Sequence, residues 1–178
     1  MIFCTVTGLS CSSCQAGERQ PMMKHTMKPP EKHAESKGIF ADKQVIDFLG
    51  AEQIEVILNT ENVEAYQVDW TKSFAKSTLS VQGYPVIAKG RNLVSNEIAM
   101  LKRMIASEKS YEFQWSKRTR VRPSYMLRVT RGADQLDIAI DLNSMQWFFS
   151  YKGNIVEEDI SEGSAMPALK KLVDSLFR

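Results

Sequence analysis

The stretch from residue 122 to 153, RPSYMLRVTRGADQLDIAIDLNSMQWFFSYKG, most constrains what this chain can become. Its apolar residues alternate with period two and are interrupted by two turn signals, the pattern of three consecutive antiparallel strands. Gly132 lies in Arg131-Gly132-Ala133-Asp134, a four-residue connection in which glycine supplies the positive φ. That loop sets Thr130 opposite Gln135, Val129 opposite Leu136, Leu127 opposite Ile138 and Tyr125 opposite Ile140. A tight turn at Asn143-Ser144 then sets Leu142 against Met145, Ile140 against Trp147, Ile138 against Phe149 and Leu136 against Tyr151. Although the turns are placed independently, they agree. Rows Tyr125/Ile140/Trp147, Leu127/Ile138/Phe149 and Val129/Leu136/Tyr151 are apolar or aromatic and share one face. A slip of one residue in either pairing would scatter them.

The opposite face is mixed. Met126, Ala139 and Phe148 make a thinner apolar row there, so this face is expected to be partly wet. Arg128 falls opposite Asp137. The pair is a candidate ligand anchor, but the plainer reading is preferred: a cross-strand ion pair worth well under ~1 kcal/mol if exposed.

The rest of the chain reads as elements that cover this meander. Asp42 is placed to cap a helix with Val45, Ile46, Phe48 and Leu49 on one face, which Gly50 breaks before 51–58 continue helically. Residues 63–70 alternate as a strand, 71–82 read as loop, and Val86-Ile87-Ala88 form a short strand at an edge or strand start because Pro85 precedes them. Ser95 is placed to cap a helix bearing Ile98, Leu101, Met104 and Ile105, and 111–115 read as a further strand. Ile155-Val156 add a last strand, and Glu157, Glu158, Asp159 and Glu162 read as a solvated acidic loop. Ser164 is placed to cap the final helix, whose stripe Leu169, Leu172, Val173, Leu176 and Phe177 needs the aromatic face of the meander as its partner. The expected fold is α+β: a mostly antiparallel sheet of four to six strands with two or three helices on one face. At 178 residues the chain is long enough for a real core.

Three segments divide it: 1–14, a truncated signal or lipoprotein segment; 15–38, a disordered linker; and 39–178, a single domain. All three cysteines, Cys4, Cys11 and Cys14, lie in the first fourteen residues, so neither a disulfide nor a thiol serves the domain. MIFCTVTGLSCSSC has the short apolar run and small residues that precede a lipid-modified cysteine, making Cys11 and Cys14 the lipid-anchor candidates. Neither fits the pattern fully. Gly8 or Cys11 stands where an aliphatic residue is usual, and the positive n-region is missing; a start upstream of Met1 would supply it. Two rival readings use the same residues. Cys11 and Cys14 with His25 and His33 suggest zinc or a redox pair, and Met22, Met23, His25 and Met27 suit copper(I). Both are disfavoured, because 15–38 contain three prolines and no periodic apolar face to frame a site.

A formal net charge of +2 conceals an uneven distribution. Residues 115–133 hold six Lys/Arg and no acid, whereas 134–178 hold four Lys/Arg and eight acids. Lys117, Arg118, Arg120 and Arg122, flanked by Trp115 and Tyr125, form a basic elbow able to meet phosphate backbones and bases, or anionic headgroups. The preferred reading is a solvated loop, since four cations give modest, strongly salt-dependent affinity. The alternative stays open. Residues 39–178 contain no histidine and no cysteine, which removes the usual nucleophile–base pairs. Asp137 and Asp141 invite a paired-carboxylate reading, but no cleft is marked around them. No catalytic residue, cofactor or resident metal is indicated, and the balance leans away from an enzyme.

Val63-Glu64-Ala65-Tyr66, Gly83-Tyr84-Pro85-Val86, the helix near 96–106, Arg122-Pro123, Leu127-Arg128 and Arg131-Gly132 with Asp137 together resemble a poorly characterised group of bacterial lipoproteins. The resemblance covers residues 50 to 178 and implies an exported α+β domain with no activity attached. Members of the group often carry cysteines near the elbow and after the third apolar strand position. This chain has Arg120 and Asp141/Ser144 there, so no metal or disulfide role carries over. The resulting expectation is a non-catalytic, envelope-associated binding domain of unknown ligand, monomeric, on the periplasmic side or secreted, with a cytoplasmic location as the alternative. Membrane anchoring would come from the N-terminal lipid. No clear nucleic-acid partner is indicated, although binding of nucleic acid or an anionic polymer through 117–122 remains the alternative function, with a tail-based metal binder behind it.

Overall fold

The computed structural model describes residues 38–71, 79–114 and 119–178. The N-terminal candidates Cys11, Cys14, Met22, Met23, His25, Met27 and His33 lie outside these, as do Trp115, Lys117 and Arg118 of the elbow. The described domain is α+β. Its strands are β1 (Asn62–Val68), β2 (Ser80–Val81), β3 (Tyr84–Lys89), β4 (Tyr125–Arg131), β5 (Asp134–Asp141), β6 (Gln146–Tyr151) and β7 (Asn154–Asp159). They form one seven-stranded sheet in the order β2-β3-β1-β4-β5-β6-β7, with every pairing antiparallel. The helices are α1 (Lys43–Leu49), α2 (Ala51–Leu58), α3 (Ser95–Ala106) and α4 (Ala165–Leu176), with a 3-10 turn at Glu108–Ser110. The sheet and the helix set are both larger than expected.

The meander has the register its hydrophobic rows require. Leu127 pairs with Ile138 and Ile138 with Phe149; Tyr125, Ile140 and Trp147 align, as do Val129, Leu136 and Tyr151. The two turns differ in detail. Arg131 still pairs with Asp134, leaving only Gly132 and Ala133 in the first loop. Gly132 there has φ 55°, the positive value that the first central position of such a hairpin demands. The second loop is wider: pairing stops at Asp141–Gln146, and Met145 takes φ 56°. Asp141 forces the wider loop, because its Oδ1 accepts the N–H groups of Asn143 and Ser144 at 3.0 and 3.1 Å.

Helices cover the aromatic face. Leu127, Ile138, Phe149, Trp147, Leu169, Leu172, Val173 and Leu176 all belong to one buried cluster, so the stripe of α4 has found the expected partner. Phe177 adds a ring contact with Tyr125 at 5.4 Å. Gly90 lets this happen: a β-carbon there would sit 2.9 Å from the Leu176 carbonyl oxygen.

Several helix ends are held differently from the capping pattern. Asp42 occupies the N-cap position of α1, but its side chain makes no capping bond; its Oδ2 accepts the Glu108 N–H at 2.8 Å, tying α1 to the chain beyond α3. Ser95 is the first residue of α3 and Val94 its cap, with Glu97 Oε2 accepting the Val94 N–H at 3.0 Å. Ser164 stands at the N-cap position of α4, but its hydroxyl donates to the Lys109 carbonyl oxygen and makes no capping bond. Ile46 points outward at 36 % exposure. Residues 111–114 form no strand, only a bridge from Tyr111 to Ile160. Glu157, Glu158 and Asp159 lie in β7 and not in an acidic loop: register with β6 carries Glu158 onto the Trp147 side, where burial raises its carboxyl above the usual range.

The sheet curls. Gln82, at the tip of the β2–β3 hairpin, donates from Nε2 to Asp137 Oδ2 at 2.7 Å. In a flat sheet β2 and β5 would stand four spacings apart, about 19 Å. Rolling encloses a second, smaller core of Tyr66, Val68, Val81, Val121, Met126, Ala139 and Phe148. The face expected to be partly wet is therefore dry at its centre.

Candidate functional site

Burial inside the curl changes the Arg128–Asp137 pair. Asp137 is 1 % exposed and Arg128 21 %. Arg128 Nε and Nη2 donate to the two carboxylate oxygens at 2.8 and 3.2 Å, and Gln82 supplies a third donor. This is an interior, fully engaged pair, and the sub-kilocalorie exposed pair anticipated from the strand pattern is replaced by it. Tyr66 lies beneath the Arg128 guanidinium, 5.7 Å from ring centroid to carbon. The tyrosine hydroxyl donates to Glu64 at 2.9 Å, and burial raises its pKa.

Asp137 and Asp141 do point to the same face, being separated by four positions on β5. At about 3.3 Å per residue they stand roughly 13 Å apart, beyond the span of carboxylates that share a reaction. Each has its own partners. Burial works to raise the Asp141 carboxyl, but hydrogen bonds from Ser144 and from the N–H groups of Arg122 and Asn143 outweigh it and hold the group below its ordinary range.

Those bonds build the elbow. Val121 points inward, 4 % exposed, into the second core. Its neighbours Arg120 and Arg122 therefore project to solvent. Arg122 N donates to Asp141 Oδ2 at 3.0 Å, Ser124 N to the Ile140 carbonyl at 3.0 Å, and Thr119 Oγ1 to Gln146 Oε1 at 3.0 Å. The backbone of 119–124 is thereby pinned along the β5–β6 turn while its guanidiniums stay outside.

Opposite the elbow stands Trp70, just past the end of β1. Asp69 fixes this corner: its N–H donates to the Pro85 carbonyl at 3.0 Å, and its Oδ1 accepts the Thr71 N–H at 2.9 Å. Trp70 is 43 % exposed, with the Arg122 guanidinium 4.8 Å from its ring centroid. Between them opens a cleft of about 570 Å³ with Arg120, Asp141 and Asn143 also on its wall. An adjoining hollow of about 260 Å³ is bounded by Trp70, Tyr84 and Arg120.

The cleft carries two arginines outside any ion pair, as Arg103 and Arg178 also are elsewhere among the described residues. Arg91, Arg128 and Arg131 are each committed to carboxylates. Arg120 and Arg122 form no ion pair among the described residues. The sequence pattern singled out both, together with the Trp115 flank; the structure pairs them with Trp70 and Tyr84, which that pattern did not single out. An aromatic immediately after a strand and before a polar turn was the available signal. Among the described residues no group of three or more His, Cys, Asp or Glu is disposed to hold a metal ion, and no helix is long and apolar enough to cross a membrane. Comparison with protein-family models, curated proteins and solved structures finds no match to this chain, so the likeness to bacterial lipoproteins rests on its motifs alone.

Proposed function

We propose that this chain is a non-catalytic binding domain that engages an anionic ligand at the 119–122 elbow. The observation that carries the reading is the pair of solvent-facing guanidiniums of Arg120 and Arg122, without an ion pair among the described residues, on a cleft whose backbone is already fixed. A preorganised cation site loses less ordering entropy on binding than a mobile loop would. The buried carboxylate of Asp141 is engaged by backbone donors and does not neutralise either arginine. Inorganic polyphosphate is the simplest probe. Its affinity for the full chain is expected to fall linearly in log K against log salt, with the slope shallower by about one for each of Arg120→Ala and Arg122→Ala. Absent binding, salt-insensitive binding, or slopes that ignore both substitutions would remove the reading.

The same proposal takes the domain to be tethered at a bacterial envelope through a lipid on Cys11 or Cys14, which the small-residue approach to those cysteines supports. Expressed in a bacterial host, the full gene product should sediment with membranes and lose that behaviour when both cysteines become serine. Recovery of all of it in the soluble fraction with Met1 intact would refute the tether without touching the anion site.

A further inference from the structure

We infer that the cleft recognises single-stranded nucleic acid, its arginines meeting phosphates and its aromatics meeting bases. This rests on the anion-binding reading above and narrows it. A phosphate alone would need only the two guanidiniums, yet the cleft of about 570 Å³ lies within the range of sites that enclose an organic ligand. Its wall includes an indole 43 % exposed to solvent, whose free face is available to a ring-bearing ligand. Arg122 holds its guanidinium carbon 4.8 Å from that ring's centroid, a cation–π contact beside which a further flat group can pack.

The second hollow continues the pattern. It joins the first at Trp70 and Arg120 and brings in Tyr84, half-buried at the start of β3. Two aromatic side chains, of which Tyr84 also packs on the second core, and two arginines without an ion pair among the described residues thus border two adjoining hollows. That alternation of stacking surface and cation matches a polymer whose rings and anionic groups also alternate. A duplex keeps its ring faces stacked on one another and offers nothing to Trp70. A phospholipid surface or polyphosphate supplies charge without a ring and leaves both aromatics unused.

Equilibrium binding of the full chain separates these cases. The probes are a ten-residue oligothymidylate, an abasic deoxyribose-phosphate oligomer of the same length, a duplex of equal charge, and vesicles of phosphatidylglycerol with phosphatidylcholine. Oligothymidylate is expected to bind about tenfold or more tightly than the abasic oligomer, the scale of one aromatic–base stack, and more tightly than duplex or vesicles. Trp70→Ala should erase the preference for thymidylate over the abasic oligomer, and Trp70→Phe should retain part of it. Because Trp70 is largely outside both cores, the near-ultraviolet spectrum of the other tryptophans should be preserved in these variants. Equal, salt-dependent binding of thymidylate and abasic oligomers would overturn the inference and leave the anion site standing. A ring preference that survives Trp70→Ala, or tighter binding to vesicles, would also overturn it. No salt-dependent binding of any probe would overturn both readings together.

Discussion

Asp141 concentrates the logic of the elbow in one carboxylate. It is 2 % exposed and accepts the N–H groups of Arg122, Asn143 and Ser144. A negative charge beside an anion site ordinarily weakens binding, so charge alone argues that neutralising it helps. The geometry argues the reverse. Asn in its place offers one acceptor oxygen and an amide that faces the Arg122 N–H as a second donor, and the elbow loses its anchor. Asp141→Asn should weaken polyphosphate binding by roughly three- to tenfold, since a lost hydrogen bond to a charged group is worth about 1–3 kcal/mol, only part of which reaches the ligand. Tighter binding would show that Asp141 acts chiefly through its charge. The sequence pointed to Asp141 through alternation on β5, but its hydrogen-bond partners come from residue 122 and from a turn wider than expected. No spacing rule announces that combination.

At the scale of elements, register was legible and helix ends were not. The meander could be aligned because each apolar row excludes its neighbours by face, a constraint that acts over three strands at once. Caps are decided by one side chain among several polar neighbours. Asp42 and Ser164 both have capping chemistry, yet tertiary partners on the 3-10 turn claimed them. The start of α3 shows the consequence for stability. Glu97 accepts the Val94 N–H and grips Arg91 Nη1 and Nη2 at 2.8 and 2.7 Å, and the arginine is the main reason its pKa falls from 4.5 to about 2. A carboxyl whose folded value is depressed stabilises the fold above its unfolded value and loses that contribution as pH falls. The urea midpoint of the protein should therefore decline between pH 4.5 and about 2. Glu97→Gln should be less stable at pH 7, with the gap to the parent closing across the same window. A gap that stays constant with pH would show that the charge on Glu97 contributes nothing to stability.

Over the whole molecule, one sheet carries two cores on opposite faces. The larger is covered by helices and was visible in the apolar rows. The smaller exists because the sheet rolls until Gln82 reaches Asp137. Nothing local forecasts that closure: β2 is two residues long, and the contact bridges strands far apart in the sheet order. Removing the carboxylate leaves Arg128 and the hairpin tip without their shared partner. Asp137→Ala is expected to cost about 2–4 kcal/mol in chemical denaturation, below the full penalty of a wholly buried pair because Arg128 retains some access to water. A change under ~1 kcal/mol would mean that the roll is held by the small core alone. In either outcome Trp70 stays at the elbow, because the β1–β4 register that pairs Gln67 with Tyr125 runs on through the Val68 N–H, which donates to the Ser124 carbonyl at 3.0 Å.

The central pairing of β1 with β4 sets residues 62–67 beside residues 125–130. Hairpins β4–β5, β5–β6 and β6–β7 join near neighbours along the chain and close short loops. Docking β1 must instead gather a long intervening excursion before any reward arrives. Refolding should consequently run in an order the finished architecture hides: the C-terminal ribbons assemble early, and arrival of the N-terminal half sets the pace.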